Sequence, residues 1–303
     1  MQNMKQLYNH TQSALVIILV SLITFSGKKA AAQQNPFAAS FFQNQYLANP
    51  AMVGGDDKIK AGVGYRRQWA GITNSPYSLY ATGEYSSGNK MNLGINVYND
   101  NAGMINTSMA MATYAYYLPV TNDGGRVHLG VSAGAVNRRI DAKNFNGDPG
   151  DMLLTQGNDI SFDGGVGLAY TDKHITVQAA FPNMVTYFKK DNEDIVNRPT
   201  FFAAASYKFI VNDGNITIEP RAGFRGMQGF DNIIDAGANF TLRQLNVFGV
   251  YHTSKNITAG AGLKIADKII VSAMYTSAGN GLKEHVDGSF ELGLNFALGG
   301  KEK

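Results

Sequence analysis

The chain has 303 residues, a formal net charge of +3 and no cysteine. The missing cysteines exclude disulfide bridges and thiolate metal or redox sites, and the nearly neutral charge argues against electrostatic capture of nucleic acid. With 34 glycines, 15 tyrosines, 17 phenylalanines and only 16% charged residues, the composition allows two soluble domains or one large all-β domain.

The first 32 residues have the pattern of a secretory signal peptide. Residues 14–25 form an uncharged run of 12 residues, and three alanines at 30–32 fit the small-residue rule for cleavage. The run is too short for a transmembrane helix, which needs about 20 apolar residues. We expect cleavage after residue 32, although Lys28 and Lys29 leave an uncleaved anchor as the alternative.

Beyond the leader, hydrophobic residues recur with a period of two, which is typical of strands because successive side chains point to opposite faces. In residues 59–65, for example, Ile59, Val63 and Tyr65 share one face, whereas Gly62 and Gly64 share the other. Other stretches with this period are 90–98, 126–136, 215–226 and 289–298.

The two faces of these strands differ in a way that indicates a membrane barrel. The polar face carries glycine with Asn, Ser, Thr, Glu and Arg, and the apolar face carries aromatic residues at the strand ends. These aromatic residues are Tyr65, Tyr85, Tyr170, Phe181, Phe224, Phe240, Tyr251 and Tyr275. A closed barrel is the only sheet that satisfies every backbone group in lipid. We therefore predict an all-β fold, a transmembrane antiparallel β-barrel of about 14 strands in the outer membrane.

Turn signals divide the chain into 14 predicted strands, and an even number suits a single-chain outer-membrane barrel. The predicted strands are 58–69, 75–87, 90–100, 104–118, 125–137, 159–171, 173–182, 200–211, 214–226, 231–242, 244–253, 256–266, 268–277 and 286–298. Three longer connections, 138–158, 182–199 and 278–285, are the expected long loops. The barrel domain is assigned to 58–303. Residues 33–57 are too polar and irregular to cross lipid and are expected to form a plug or a periplasmic segment.

No motif in the chain supports a catalytic, cofactor or metal site. The histidines lack the spacing of a zinc protease, and the glycine-rich stretches 164–170 and 260–264 do not continue into a phosphate loop. The nucleophile elbow G-x-S-x-G is also absent. An outer-membrane enzyme with Ser and His at the rim remains an alternative for which the sequence offers no candidate pair.

Residues 65–76 combine two adjacent arginines, a glutamine and the only tryptophan, before a loop that closes with a proline. The alternating pattern predicts that this stretch contains the end of the first strand and the turn that leads to the second strand. Arg66 and Gln68 are then expected on the polar face, pointing into the barrel or its periplasmic mouth. Trp69 is expected at the interface belt, where an amphipathic ring is favoured.

Three motifs lie within the first 70 residues after the leader. Residues 35–55 contain a "Q…NPA…G" segment with Asn49 and Pro50, and residues 92–103 form a glycine-rich strand that ends in an N-D-x-x-G turn. Between them lies an R-x-Q-W-x-G-…-P element, formed by Arg66, Gln68, Trp69, Gly71 and Pro76. In these motifs the chain resembles the PorP/SprF-type membrane proteins of the type IX secretion system of Bacteroidetes.

The resemblance implies a barrel without catalytic activity or cofactor that works in protein secretion, and for some members in gliding motility. It implies three protein partners: periplasmic ring lipoproteins, a peptidoglycan-binding OmpA-like lipoprotein, and secreted cargo with a C-terminal sorting domain. Membrane lipids are a further partner, and nucleic acid is not. Asn49, Pro50 and the 66–69 cluster are expected to be bound by each other or by a partner.

The architecture alone suggests a second function, a FadL-like channel for a small or hydrophobic solute. A lumen filled by the N-terminal segment would favour the docking function, whereas a continuous apolar tunnel would favour the channel.

Overall fold

The computed structural model describes residues 40–69, 71–72, 74–140, 158–184, 200–227, 231–266, 268–279 and 287–299. The predicted leader and residues 33–39 lie outside these ranges. Among the described residues, no helix is long and apolar enough to span a membrane.

One antiparallel sheet contains all the strands. In chain order these are β1 Ile59–Arg67, β2 Tyr77–Ser86, β3 Met91–Ala102, β4 Ile105–Pro119, β5 Arg126–Ile140, β6 Asn158–Thr171, β7 Ile175–Phe181, β8 Thr200–Tyr207, β9 Phe209–Val211, β10 Ile216–Met227, β11 Ile233–Leu242, β12 Leu245–His252, β13 Asn256–Ile265, β14 Ile269–Thr276 and β15 Ser289–Leu298. Because β1 pairs with both β2 and β15, the sheet closes into a barrel.

Strands β8 and β9 are two parts of a single barrel strand, so the barrel has 14 strands, as predicted. Both parts pair with β10 in the same register, from Arg221 opposite Ser206 to Ile218 opposite Phe209. Pro220 stands across from the interruption. A proline has no N–H to donate to the ladder, which explains why the pairing breaks there.

The connections between strands differ in length at the two ends of the barrel. We call the end with the connections 87–90, 120–125, 172–174, 212–215, 243–244 and 266–268 the short-turn end. The start of β1 and the end of β15 also lie there. The opposite, long-loop end carries all three predicted long connections. Most residues of these three connections lie outside the described ranges.

The predicted alternation of faces is confirmed. Outward side chains are apolar and exposed, for example Ile95 at 54% and Leu292 at 59%. Inward side chains are polar or small and buried, for example Asn96 at 6% and Glu291 at 2%. The outer wall therefore suits lipid, and the lumen is polar.

Residues 40–55, here called the lumenal segment, contact the inward face of the wall. The segment contains a short helix, α1 (Ser40–Gln43), and two 3-10 turns, Gln45–Leu47 and Pro50–Met52. Each 3-10 turn begins after an asparagine, Asn44 or Asn49, whose side chain accepts a backbone N–H two residues later. The two turns thus satisfy part of the segment's backbone internally, and its apolar side chains contact the wall.

Candidate functional site in the barrel lumen

Two phenylalanines attach the start of the lumenal segment to the wall. Phe41 meets Phe202 of β8 edge-on, with ring centroids 5.4 Å apart, and Phe42 stacks on Phe248 of β12 at 6.2 Å. Arg221 of β10 lies 4.8 Å from the ring centroid of Phe42 and donates a 3.1 Å hydrogen bond to its carbonyl oxygen. The rings supply apolar contact, and the cation adds a cation–π interaction.

A buried charged network lies next to these rings. Asp235 is fully buried and accepts two 2.6 Å hydrogen bonds from Arg225, one from Nε and one from Nη2. The Arg225 guanidinium also lies 5.6 Å from the Phe41 ring centroid. This geometry is the bidentate arginine–carboxylate pair, which fixes orientation as well as charge.

The network continues through His252 to two threonines. The ring Nδ1 of His252 lies 2.6 Å from Asp235 Oδ1, and Nε2 lies 2.8 Å from Thr258 Oγ1. Since the aspartate accepts, the tautomer with its proton on Nδ1 satisfies both contacts. The Thr258 hydroxyl is 2.7 Å from that of Thr276, and Thr258 is fully buried. The Thr258 hydroxyl is therefore buried between His252 and Thr276 and extends the network to β14.

Ser40 connects the segment to a second buried carboxylate, Glu291 of β15. The Ser40 hydroxyl donates to Glu291 Oε2 at 2.6 Å, and Arg66 Nε lies 3.4 Å from Glu291 Oε1. Arg66 therefore has an indirect link to the lumenal segment: it lies beside the Glu291 carboxylate that accepts the Ser40 hydrogen bond. The side chains of Arg66 and Glu291 are both buried, so the positive charge of one compensates the negative charge of the other where little water is present.

Asn49 attaches the middle of the segment to the opposite part of the wall. Its Oδ1 accepts the N–H of Ala51 at 2.9 Å, and its Nδ2 donates to Gln178 Oε1 at 3.1 Å and to the Leu168 carbonyl at 3.3 Å. The residue is fully buried. The Asn49 side chain thus caps the turn by accepting its backbone N–H, and at the same time it donates hydrogen bonds to β6 and β7.

Two glycines of the wall admit the backbone of this turn. Gly130 of β5 and Gly167 of β6 are paired in register and face the lumen. A Cβ atom at Gly130 would overlap the backbone of Pro50 and Ala51, and a Cβ atom at Gly167 would overlap the Asn49 side chain. Any larger residue at either position would push the turn away from the wall.

The segment leaves the lumen through a glycine pair. Gly54 has φ of 85°, a conformation that favours glycine, and its N–H donates to Glu84 Oε2 at 2.6 Å. Lys60 Nζ lies 3.0 Å from the same carboxylate oxygen. A Cβ atom at Gly54 would overlap Asn92. The chain then enters β1 from the short-turn end.

The predicted motif residues lie in two separate places. Arg66 and Gln68 are buried and point into the lumen at the long-loop end, away from the short-turn mouth. Trp69 is half-buried at the end of β1 with φ of 50°, which marks the start of a turn. Pro76 closes this turn, because its carbonyl accepts the N–H of Gln68 at 2.8 Å. Gly71 lies next to Asp287, which a Cβ atom there would overlap.

The contacts described above do not join Asn49 and Pro50 to the 66–69 cluster. Asn49 bonds to β6 and β7, whereas Arg66 pairs with Glu291 of β15. Sequence reasoning also missed the residues that attach the segment and the network behind them. The first are Ser40, Phe41, Phe42, Gly130, Gly167 and Arg225, and the network adds Asp235 and His252. One signal was available: glycines on the polar face mark positions where another backbone can approach closely.

Within the described ranges, no three His, Asp or Glu side chains group as metal ligands.

The closed sheet, the apolar outer face and the polar lumen define a multi-pass outer-membrane β-barrel protein. The profile of a family described as Type IX secretion system membrane protein PorP/SprF matches residues 30–296. The chain belongs to this family, which confirms the resemblance seen in its motifs.

Solved structures show distant likenesses. The outer membrane protein Omp33 of Acinetobacter baumannii is 12% identical over 80% of this chain and 98% of its own, with a TM-score of 0.46. Two mutants of Rh. blastica porin are 12% and 11% identical over 78% of this chain and 98% of theirs, with TM-scores of 0.35. The strand pairing itself defines the architecture. No curated protein matches the chain.

Proposed function

We propose that this protein is a non-enzymatic docking barrel of the type IX secretion system. It binds the secretion machinery, cargo C-terminal sorting domains, or both, for export or surface attachment, including that of gliding adhesins. The family assignment supports a role in secretion. The observation that carries the docking role is the lumenal segment, because a lumen crossed by bound chain is poorly suited to free solute flow.

The contacts of the segment support its action as a plug. Ser40 bonds to β15, Tyr46 to Thr113 of β4 at 2.8 Å, and Asn49 to β7. Asn44 also donates to Thr82 of β2 at 3.0 Å. Because these strands lie on different sides of the barrel, the segment is bound across the lumen. We therefore assign the plug role to residues 33–57 and the barrel to residues 58–303.

The two ends of the barrel suit different partners. Outer-membrane barrels have short periplasmic turns and longer extracellular loops. On that rule the short-turn end faces the periplasm, where the ring lipoproteins and the OmpA-like lipoprotein would bind. The long-loop end, which includes Trp69 and Gly71, would then meet cargo at the cell surface.

The test is an affinity purification from the native envelope. A C-terminally tagged protein is extracted in mild detergent, and the co-purifying proteins are identified by mass spectrometry. Recovery of ring lipoproteins or of a protein with a C-terminal sorting domain is the expected result. A solitary barrel that passes small solutes into liposomes would overturn the proposal and establish the FadL-like channel instead.

A pair of variants tests the role of the long-loop end. Trp69→Ala is expected to assemble in the membrane and to lose the partner found with the wild-type protein. Tyr251→Ala is the matched control, because it removes an aromatic side chain that is 52% exposed on the outer face. Equal partner recovery with both variants would remove Trp69 from the proposed docking surface.

A further inference from the structure

Exposed basic residues accompany the short turns on many sides of the barrel. We call six of them the basic collar: Lys58, Lys90, Lys173, Lys208, Arg243 and Lys268. Each lies in a short turn or within a few residues of one. Their neighbouring strands, β1, β3, β7, β8, β12 and β14, are distributed around the sheet. Arg126 is not included, because it pairs with Asp56 at 3.1 Å.

The carboxylates near the collar mostly have other partners. Asp172 accepts backbone hydrogen bonds inside its own turn, Glu84 pairs with Lys60, and Glu219 pairs with Arg221. Among the side chains described at this end, the carboxylates outside these ion pairs are Asp57, Asp123 and Asp172. In the described part of this end the six collar cations outnumber these three carboxylates, so the local net charge is positive and attracts anions.

Aromatic rings on the outer face place this collar at the membrane surface. Tyr85, Tyr207, Phe209 and Phe240 are 43%, 41%, 48% and 39% exposed, and all lie near short turns. Aromatic belts of this kind mark the level of the lipid headgroups. Basic side chains one to five residues away can extend their apolar stems along the wall and bring their charges to the phosphates.

We propose that the basic collar binds the phosphate groups of anionic phospholipids in the leaflet at the short-turn end. The distribution of the collar favours lipid over a protein partner. A standard protein interface covers one patch of about 800 Å² per partner, whereas the collar surrounds the barrel as a leaflet does. This inference does not depend on the proposed docking function, because it concerns the barrel alone in a bilayer.

The experiment compares two triple variants of the full chain. Lys90→Gln, Arg243→Gln and Lys268→Gln remove three collar charges. Arg67→Gln, Arg139→Gln and Lys255→Gln remove three exposed charges near the long-loop end. The sets are matched in charge, and both include positions of left-handed φ: Lys90 and Arg243 in the first, Lys255 in the second. Each purified protein is reconstituted in phosphatidylethanolamine vesicles with or without phosphatidylglycerol.

Phosphatidylglycerol is expected to raise the melting temperature of the wild type and of the long-loop-end variant by about 2–4 °C. The collar variant should lose most of this rise. High salt should abolish the rise in every case, because it screens exposed charges. Inorganic phosphate added to phosphatidylethanolamine vesicles should not reproduce it, which distinguishes a headgroup from free phosphate.

Two results would overturn the inference. One is the same lipid-dependent rise in both triple variants, which would show that the collar charges do not matter. The other is no rise for the wild type, combined with loss of a co-purifying acidic protein from the collar variant, which would assign the collar to a protein partner.

Discussion

The two halves of the lumenal segment are bound to the wall by different physical means. Residues 40–43 are bound by side chains: two phenylalanine rings contact aromatic residues and arginines of β8, β10 and β12. Residues 49–54 are bound mainly by backbone fit, with the Asn49 side chain as their one hydrogen-bonding anchor described above: Gly130 and Gly167 leave room for the turn, and Gly54 adopts a left-handed conformation. Side-chain contacts can be lost one at a time, whereas a backbone fit fails as a whole when a single carbon atom is added.

The strongest test of this difference is a substitution that fills the backbone gap. Gly130→Val would place branched carbon atoms on the backbone of Pro50 and Ala51, neither of which can rotate away. We expect a loss of about 4 kcal/mol or more in the free energy of unfolding. Denaturant titration in lipid vesicles measures this, and protease cleavage within residues 40–55 reports release of the segment.

Gly249→Val is the control for this substitution. Gly249 also lies in a barrel strand, but a Cβ atom there would have nothing within 4 Å. Its outward side is exposed, so the larger side chain would meet lipid. Equal protease resistance of the two variants would refute the backbone-fit account of the second half.

Removing one ring tests the first half. Phe42→Ala should cost about 3 kcal/mol, because it removes the stack on Phe248 and the ring beneath Arg221. Phe42→Leu keeps most of the apolar volume and should cost about 1 kcal/mol. Denaturant titration of both variants checks the values. If the leucine variant were as unstable as the alanine variant, the cation–π contact would outweigh packing.

The two asparagine caps give a finer comparison. Asn49→Ala should cost about 2 kcal/mol, since it removes a turn cap and two hydrogen bonds to the wall. Asn44→Ala removes a cap and a single bond, to Thr82, and should cost about 1 kcal/mol. Unfolding midpoints of the two variants would rank them. The reverse order would show that the first half depends more on hydrogen bonding than the second.

The smallest expected effect lies outside the lumen, at Asp172 in the turn between β6 and β7. Hydrogen bonds from the backbone N–H of Ile175, then of His174, hold the pKa of this carboxyl below its usual range. A carboxyl group whose pKa is lower in the folded state than in the unfolded state stabilises the fold when the pH is above the unfolded-state pKa. This stabilisation is lost as the pH falls through the folded-state pKa. Asp172→Asn should therefore lower the unfolding midpoint slightly at pH 7. A difference that persisted below the folded-state pKa would point to a role without charge.

The architecture could be read from the sequence because each strand carries its own signal. Alternation with apolar residues such as Val63 and Ile95 on one face is enough to locate a strand and to orient it in a barrel. The break between β8 and β9 carried no signal in its own residues. It arises opposite Pro220, which lies in the next strand.

The lumenal site could be predicted only in part, because its contacts join residues far apart in the chain. Asn49 stood out by its motif, but its partner Gln178 is 129 residues away and has no distinctive neighbours. Gly130 and Gly167 could be placed on the polar face, yet only the register between β5 and β6 brings them together beneath one turn. The position of Arg66 near Glu291 likewise follows from closure of the barrel.

The pairing of β1 with β15 also sets a time order for assembly. The hydrogen bond from Ser40 to Glu291 joins residues 251 positions apart, and Glu291 belongs to the last strand. Contacts of such long range form late, because the loop between them must first be closed. The chain that fills the lumen is thus synthesised first and enclosed last.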